Sequence, residues 1–286
     1  MTYGYKTLKE FKEEYIREAK QSIIVPEYST NKEFDQQLAD LMKEKFSIAP
    51  TKMFIKMNGY LRRVVRDDWE IKIIGYMEER ETYEATLNSV EALNINYIPT
   101  IYSYITKKKS DLLNSCALGY GNNINVFLSY GLFHEILKGI KEKEFIIGHE
   151  LGHNQNNATA VHILGVHESN EVSRLGEYTA DRAGLLVCRD VEAAVRALLK
   201  VSSSERASEE DIKKAAKNMV ENAERKCVNL PGDKGTHPCI ERRVMALKDF
   251  YSSQMYARLT GNPVKESMLS DEKLKQRLAK LVNGGQ

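Results

Sequence analysis

His149, Glu150 and His153 lie in the run Phe145-Ile146-Ile147-Gly148-His149-Glu150-Leu151-Gly152-His153 and form the pattern His-Glu-x-x-His. On an α-helix, side chains four apart stand over one another on one face, so this spacing offers two imidazoles to a single ion. Glu150 sits beside them, placed to act on a water held by that ion. Zinc with three protein ligands keeps a position open for water and lowers its pKa from about 16 to about 7, which is the chemistry of a metal-assisted hydrolase. Five residues with two free positions make a short pattern, and charged surface helices carry His and Glu without any metal. The flanks argue for the metal, because Phe145, Ile146, Ile147 and Leu151 are apolar and predict a buried helix. Two histidines and a glutamate need partners there.

A third ligand is expected downstream. The extension His-x-x-Gly-x-x-His is absent, since Asn156 and Thr159 stand at its glycine and third histidine. Glu177 opens Glu177-Tyr178-Thr179-Ala180-Asp181, which continues with helical periodicity through Val187, so Glu177 and Asp181 share one face. The first carboxylate suits a metal; the second, one turn on, suits the free N–H of a ligating histidine, whose tautomer it would fix. Glu177 equally suits a solvent-facing helix, and Glu168 and Glu171 are rival ligands with less context. His162 and His167 read as loop or surface residues.

Several separated pieces then resemble one family, the M48 zinc metallopeptidases, relatives of the CaaX-processing and HtpX-type membrane proteases. Asn114-Ser115-Cys116-Ala117-Leu118-Gly119 resembles the family's Asn-Ala-Phe-Ala strand, with Ser115 and Cys116 as departures. Ile124 to Leu128 with Gly131-Leu132 resembles the strand and turn before the zinc helix. Glu177 to Gly184 is similar to its Glu-x-x-Ala-Asp segment, and Thr236-His237-Pro238 with Glu241 and Arg243 to its Thr-His-Pro element. The resemblance spans residues 96–260. It implies one zinc ion held by His149, His153 and Glu177, Glu150 as general base and acid, and Asp181 as the residue that orients a ligating imidazole. His237 would stabilise an oxyanion, although His237-Pro238 also suits a plain helix start. Arg243 would position substrate or pair with a carboxylate near the ligands, and Asn114 would contact substrate backbone. The implied reaction is hydrolysis of internal bonds in a protein or peptide substrate. A zinc-stabilised peptide-binding or chaperone-like module with little turnover, or an aminopeptidase, are the alternatives.

These residues must be carried by a scaffold, and the resemblance implies an α+β, zincin-like (Glu-zincin) fold, mostly helical with a small β-sheet beside the zinc helix. Residues 1–22, then Phe34 to Phe46, then about 51–66 read as amphipathic helices, Trp69 to Ile74 as a strand, and Glu79 to Leu93 as a helix. Residues 96–104 and 115–130 supply short strands. Ser208 is placed to cap a helix running from Glu209 toward Ala223, and a last helix follows Asp271. The expected organisation is a mainly helical N-terminal lobe over 1–95, the metallopeptidase core over 96–260 with a helical insertion at about 202–230 that serves as a lid or a solvated connector, and a C-terminal helix and tail over 261–286. Gly75-Tyr76-Met77-Glu78-Glu79 looks like an aminopeptidase amine-binding element, but it lies far from His149 and ends in Glu, so it reads as coincidence.

The 42 basic and 40 acidic residues nearly cancel, and the basic runs at 62–63 and 107–109 are isolated, which argues against a nucleic-acid partner. Four cysteines without a Cys-x-x-Cys pair argue against a disulfide framework, and Cys239, close to His237, reads as a free thiol rather than a ligand. No window approaches the roughly 18 apolar residues of a membrane span, and the first residues carry no apolar signal region, so a cytoplasmic location is expected.

Overall fold

A computed structural model of the protein describes residues 70–74, 77, 79–106, 114–120, 123–155, 170–202, 207–227, 230, 233, 235 and 237–282. The helices expected before residue 69, His162, His167 and Glu168, and the side chain of Glu171 lie outside the described residues. Strands β1 (Glu70–Ile73), β2 (Thr100–Ile105), β3 (Ser115–Tyr120) and β4 (Asn123–Ser129) form one sheet in the order β1-β2-β4-β3. β3 and β4 are an antiparallel pair, β2 runs parallel to β4, and β1 closes the other edge antiparallel to β2. Period-2 alternation in β2 and β4 places Ile101, Val126 and Leu128 in the core.

A π-helical turn, Gly131–Ile136, leads from β4 into α2 (Ile140–Gln155), the helix that carries the His-Glu-x-x-His pattern. Every residue from Glu142 to His149 is buried, so α2 runs through the centre of the domain. Helix α1 (Arg80–Ala92) and the β3–β4 hairpin pack on it, and α3 (Asn170–Cys188) makes the most extensive contact of all. β1 joins the sheet and α1 packs on α2, so the packed elements reach back to Glu70. Glu79, the last residue of the amine-site look-alike, bonds His134 of the π-helical turn at 2.6 Å.

Close approach of α2 and α3 depends on glycine. A Cβ at Gly152 would lie 2.7 Å from Ala183 Cβ, one at Gly148 2.8 Å from Val187 Cγ2, and one at Gly184 2.5 Å from the carbonyl oxygen of Phe145. With these three side chains reduced to hydrogen, the backbones meet and the histidines of one helix reach the carboxylates of the other.

Helices α4 (Val191–Ser202), α5 (Glu209–Glu221), α6 (Ala223–Cys227), α7 (Ile240–Tyr251), α8 (Gln254–Leu259) and α9 (Asp271–Val282) are the remaining helices among the described residues. Ser208 caps α5 as expected, its Oγ accepting the Asp211 N–H at 3.1 Å. Within the 202–230 segment, Ala216, Met219 and Ala223 enter the main core, and α5 packs on α4 and α7. Lys200, buried on α4, binds the carboxylates of Glu142 and Glu209 at 2.8 Å and the carbonyl oxygen of Ile136 at 3.1 Å, joining four elements at one ammonium group.

Candidate metal centre

Helix α2 sets His149 and His153 one turn apart, and α3 sets Glu177 and Asp181 one turn apart on the face opposite. The two Nε2 atoms lie 3.0 Å from each other. His153 Nε2 is 3.4 Å from Glu177 Oε1, and His149 Nε2 is 3.7 Å from Glu177 Oε2. His149, His153 and Glu177 are the group of potential ligands that the described residues gather, with one donor atom each, all within 4.8 Å.

Asp181 determines how one imidazole is presented. Its Oδ1 accepts from His149 Nδ1 at 3.0 Å, which puts the proton on Nδ1 and leaves the Nε2 lone pair directed at His153 and Glu177. Arg243 of α7 donates to the same carboxylate through Nε at 2.8 Å and Nη2 at 2.6 Å, and lies 3.5 Å from Glu177. Of the two roles expected for Arg243, the geometry is that of pairing with carboxylates. Burial alone would raise the pKa of Asp181, but the charge and hydrogen bonds of Arg243 and the contact with His149 outweigh it and hold the carboxyl below its usual range. Glu177 behaves alike: burial raises, while His153, His149 and Arg243 together lower it further. For His153, burial lowers the pKa, yet the pull of Glu177 and Glu150 leaves it raised.

The donor set fits zinc. Two imidazole nitrogens and one carboxylate oxygen are ordinary zinc ligands, and bonds of about 2.0–2.1 Å in tetrahedral arrangement place donors about 3.3 Å apart. The observed separations of 3.0, 3.4 and 3.7 Å bracket that value.

Glu150, between the two histidines, accepts a hydrogen bond from Ser115 Oγ at 2.7 Å. Burial and then the Glu150 charge push the Cys116 thiol pKa up, so Cys116 is a neutral thiol at ordinary pH. Asn114 is exposed at the start of β3, and its Oδ1 accepts the Ser115 N–H at 3.0 Å. His237 is 70% exposed, with Nε2 3.3 Å from Glu177 Oε1. It stands just before α7, whose N-cap is Cys239. All four cysteines are free.

Residue pattern alone did not single out the groups that hold these parts. Asp233 accepts the Cys239 N–H at 3.0 Å and pairs with Arg242 at 2.7 Å, while Arg174 donates to the carbonyls of Asp233 and Gly235, which together tether the approach to His237. No local signal marks those contacts. The glycines are different, because Gly148 and Gly152 sit four apart, each directly before a histidine.

Two packed helices that bring a pair of imidazoles and a carboxylate together beside a further glutamate have the arrangement of a metal-dependent hydrolase. The model of peptidase family M48 matches residues 78–169 and 158–250, well over half of the chain, and the protein belongs to this family of metallopeptidases. Searches of curated proteins and of solved structures gave no match. Among the described residues, no helix is long and apolar enough to cross a membrane.

Proposed function

We propose that the protein is a zinc-dependent endopeptidase of zincin-like fold, with His149, His153 and Glu177 holding one metal ion and Glu150 serving as general base. The observation that carries this reading is the convergence of those three side chains next to Glu150. Bound there, zinc supplies Lewis acidity, which lowers the pKa of water into the neutral range and polarises a carbonyl. Glu150 takes the proton of the attacking water and returns it to the leaving amine. Asp181 and Arg243 keep His149 in the tautomer that offers Nε2. His237, exposed beside Glu177, is placed to donate to the developing oxyanion.

An extended peptide would bind along β3. This strand is the sheet edge, whereas β4 is paired on both sides. Main-chain pairing there would bring a peptide to within one side chain of Glu150 and would make side-chain selectivity modest.

Elemental analysis of the purified protein and of Glu177→Ala, run beside cleavage of an unfolded protein, tests the reading. One zinc per chain that the variant loses, with wild-type fragments that a chelator blocks, is the expected result. Zinc without fragments would favour a peptide-binding role, and cleavage restricted to free amino ends would favour an aminopeptidase.

A further inference from the structure

We propose that Ser115 is a positioning residue for Glu150, a role that rests on the peptidase reading above and names a group that reading does not require. Its hydroxyl donates to Glu150 Oε1 at 2.7 Å across the boundary between β3 and α2, the elements expected to hold the substrate and the base. A glutamate has three side-chain rotors to be set, and Glu150 is only partly buried. A hydrogen bond to an ionised acceptor selects one orientation.

The donor is itself held from two sides. The Asn114 carbonyl, one residue earlier, accepts both the Ser129 N–H at 3.1 Å and the hydroxyl of the buried Tyr104 at 3.1 Å. The Asn114 side chain takes the Ser115 N–H at 3.0 Å. These bonds fix the peptide from which the Ser115 side chain springs, and Ser115 is the first residue of β3. The edge that would pair with a peptide and the carboxylate that would act on it are thereby tied together by a hydrogen bond. Displacement of a reacting group by about 1 Å can cost on the order of a hundredfold in rate, so a bond that removes such freedom acts on turnover rather than on binding.

The test compares wild type, Ser115→Ala and Ser115→Thr, each loaded with zinc, for kcat and KM on fluorescently labelled casein, for zinc per chain, and for the Glu150 side-chain conformation in crystal structures. The expected result is a kcat about tenfold lower in Ser115→Ala with KM and zinc unchanged, most of the loss restored by the hydroxyl of threonine, and Glu150 turned or spread over rotamers in the alanine variant. Wild-type kcat in Ser115→Ala overturns the proposal, as does a loss that threonine fails to restore or that comes with loss of zinc. If the zinc-loaded wild type leaves casein intact, the peptidase reading fails on its own, and the crystallographic arm still decides: an identical Glu150 conformation in wild type and Ser115→Ala rejects the positioning role, and a changed one retains it.

Discussion

Glu150 and Asp181 are both carboxylates within one side chain of the histidines, yet their surroundings assign them different work. Glu150 is partly exposed and bonded to a neutral hydroxyl, whereas Asp181 is buried and committed to an imidazole N–H and a guanidinium. Replacing Glu150 with Gln keeps the shape and removes the proton acceptor. Zinc content should therefore stay at the wild-type level while turnover falls by about 10²–10⁴, the usual contribution of a general base; elemental analysis with a cleavage assay checks both, and near-normal hydrolysis would reject Glu150 as the base. Asp181→Asn should act on the metal instead. It removes the anion that pairs with Arg243 and weakens the hold on His149 Nδ1–H, so zinc affinity is expected to fall about 10–100-fold, read by competition with a chromophoric chelator. Unchanged affinity would mean that His149 keeps its orientation without Asp181.

At the scale of elements, the site exists because α2 and α3 approach until backbone meets side chain. Gly184 is the sharpest case, since an added methyl meets the Phe145 carbonyl at 2.5 Å and the Phe145 ring at 2.8 Å, and neither is the end of a flexible chain. Alanine in place of a helical glycine gains roughly 1 kcal/mol of intrinsic helix preference, but the overpacking here costs about 1–3 kcal/mol and requires the helices to part. Gly184→Ala should lower Tm and weaken zinc binding together, measured by calorimetry and chelator competition. A more stable variant with intact zinc binding would show that the contact gives way without moving Glu177. Much of this was legible in sequence: His-Glu-x-x-His and the Glu177–Asp181 spacing named the ligand candidates, and alternation named the strands. Helix α2 is buried on nearly every side, so amphipathic period could not report what packs on it. Two features were out of reach, the partner of Glu150 and the tether of the His237 approach, because both are contacts between residues far apart in the chain, as Ser115 to Glu150 and Arg174 to Asp233 are. The docking of α5 was hard to read for a related reason. Its polar face is obvious, whereas the few residues that dock it, Ala216, Met219 and Ala223, are small or isolated.

For the whole molecule, the proposed ligands would couple metal binding to the stability of the fold, because they come from the two helices that share the largest contact and Arg243 links them to α7. An unfolded chain holds no such site, so metal binding stabilises the native state by RT ln(1 + [L]/Kd), about 4 kcal/mol at a thousandfold excess over Kd. For a domain of this size that is a Tm shift on the order of 10 °C. Chelator should therefore lower the Tm of wild type by about this amount and leave Glu177→Ala nearly unmoved. An equal shift in both proteins would place the stabilising metal elsewhere. Lys200 supplies a control that separates the metal from the scaffold, since it joins the π-helical turn, α2, α4 and α5 away from the metal ligands. Lys200→Met removes the ammonium and leaves the buried Glu142 carboxylate with Arg196, which lies 3.0 Å away. Breaking a buried pair on one side costs about 3–5 kcal/mol, so Tm should fall in this variant with or without chelator. Its chelator-induced shift should nevertheless match that of wild type, because the ligands and their spacing are untouched. If the shift instead shrank with the loss of Lys200, the α4–α5 layer would have to be counted among the elements that hold α2 and α3 at the separation the metal requires.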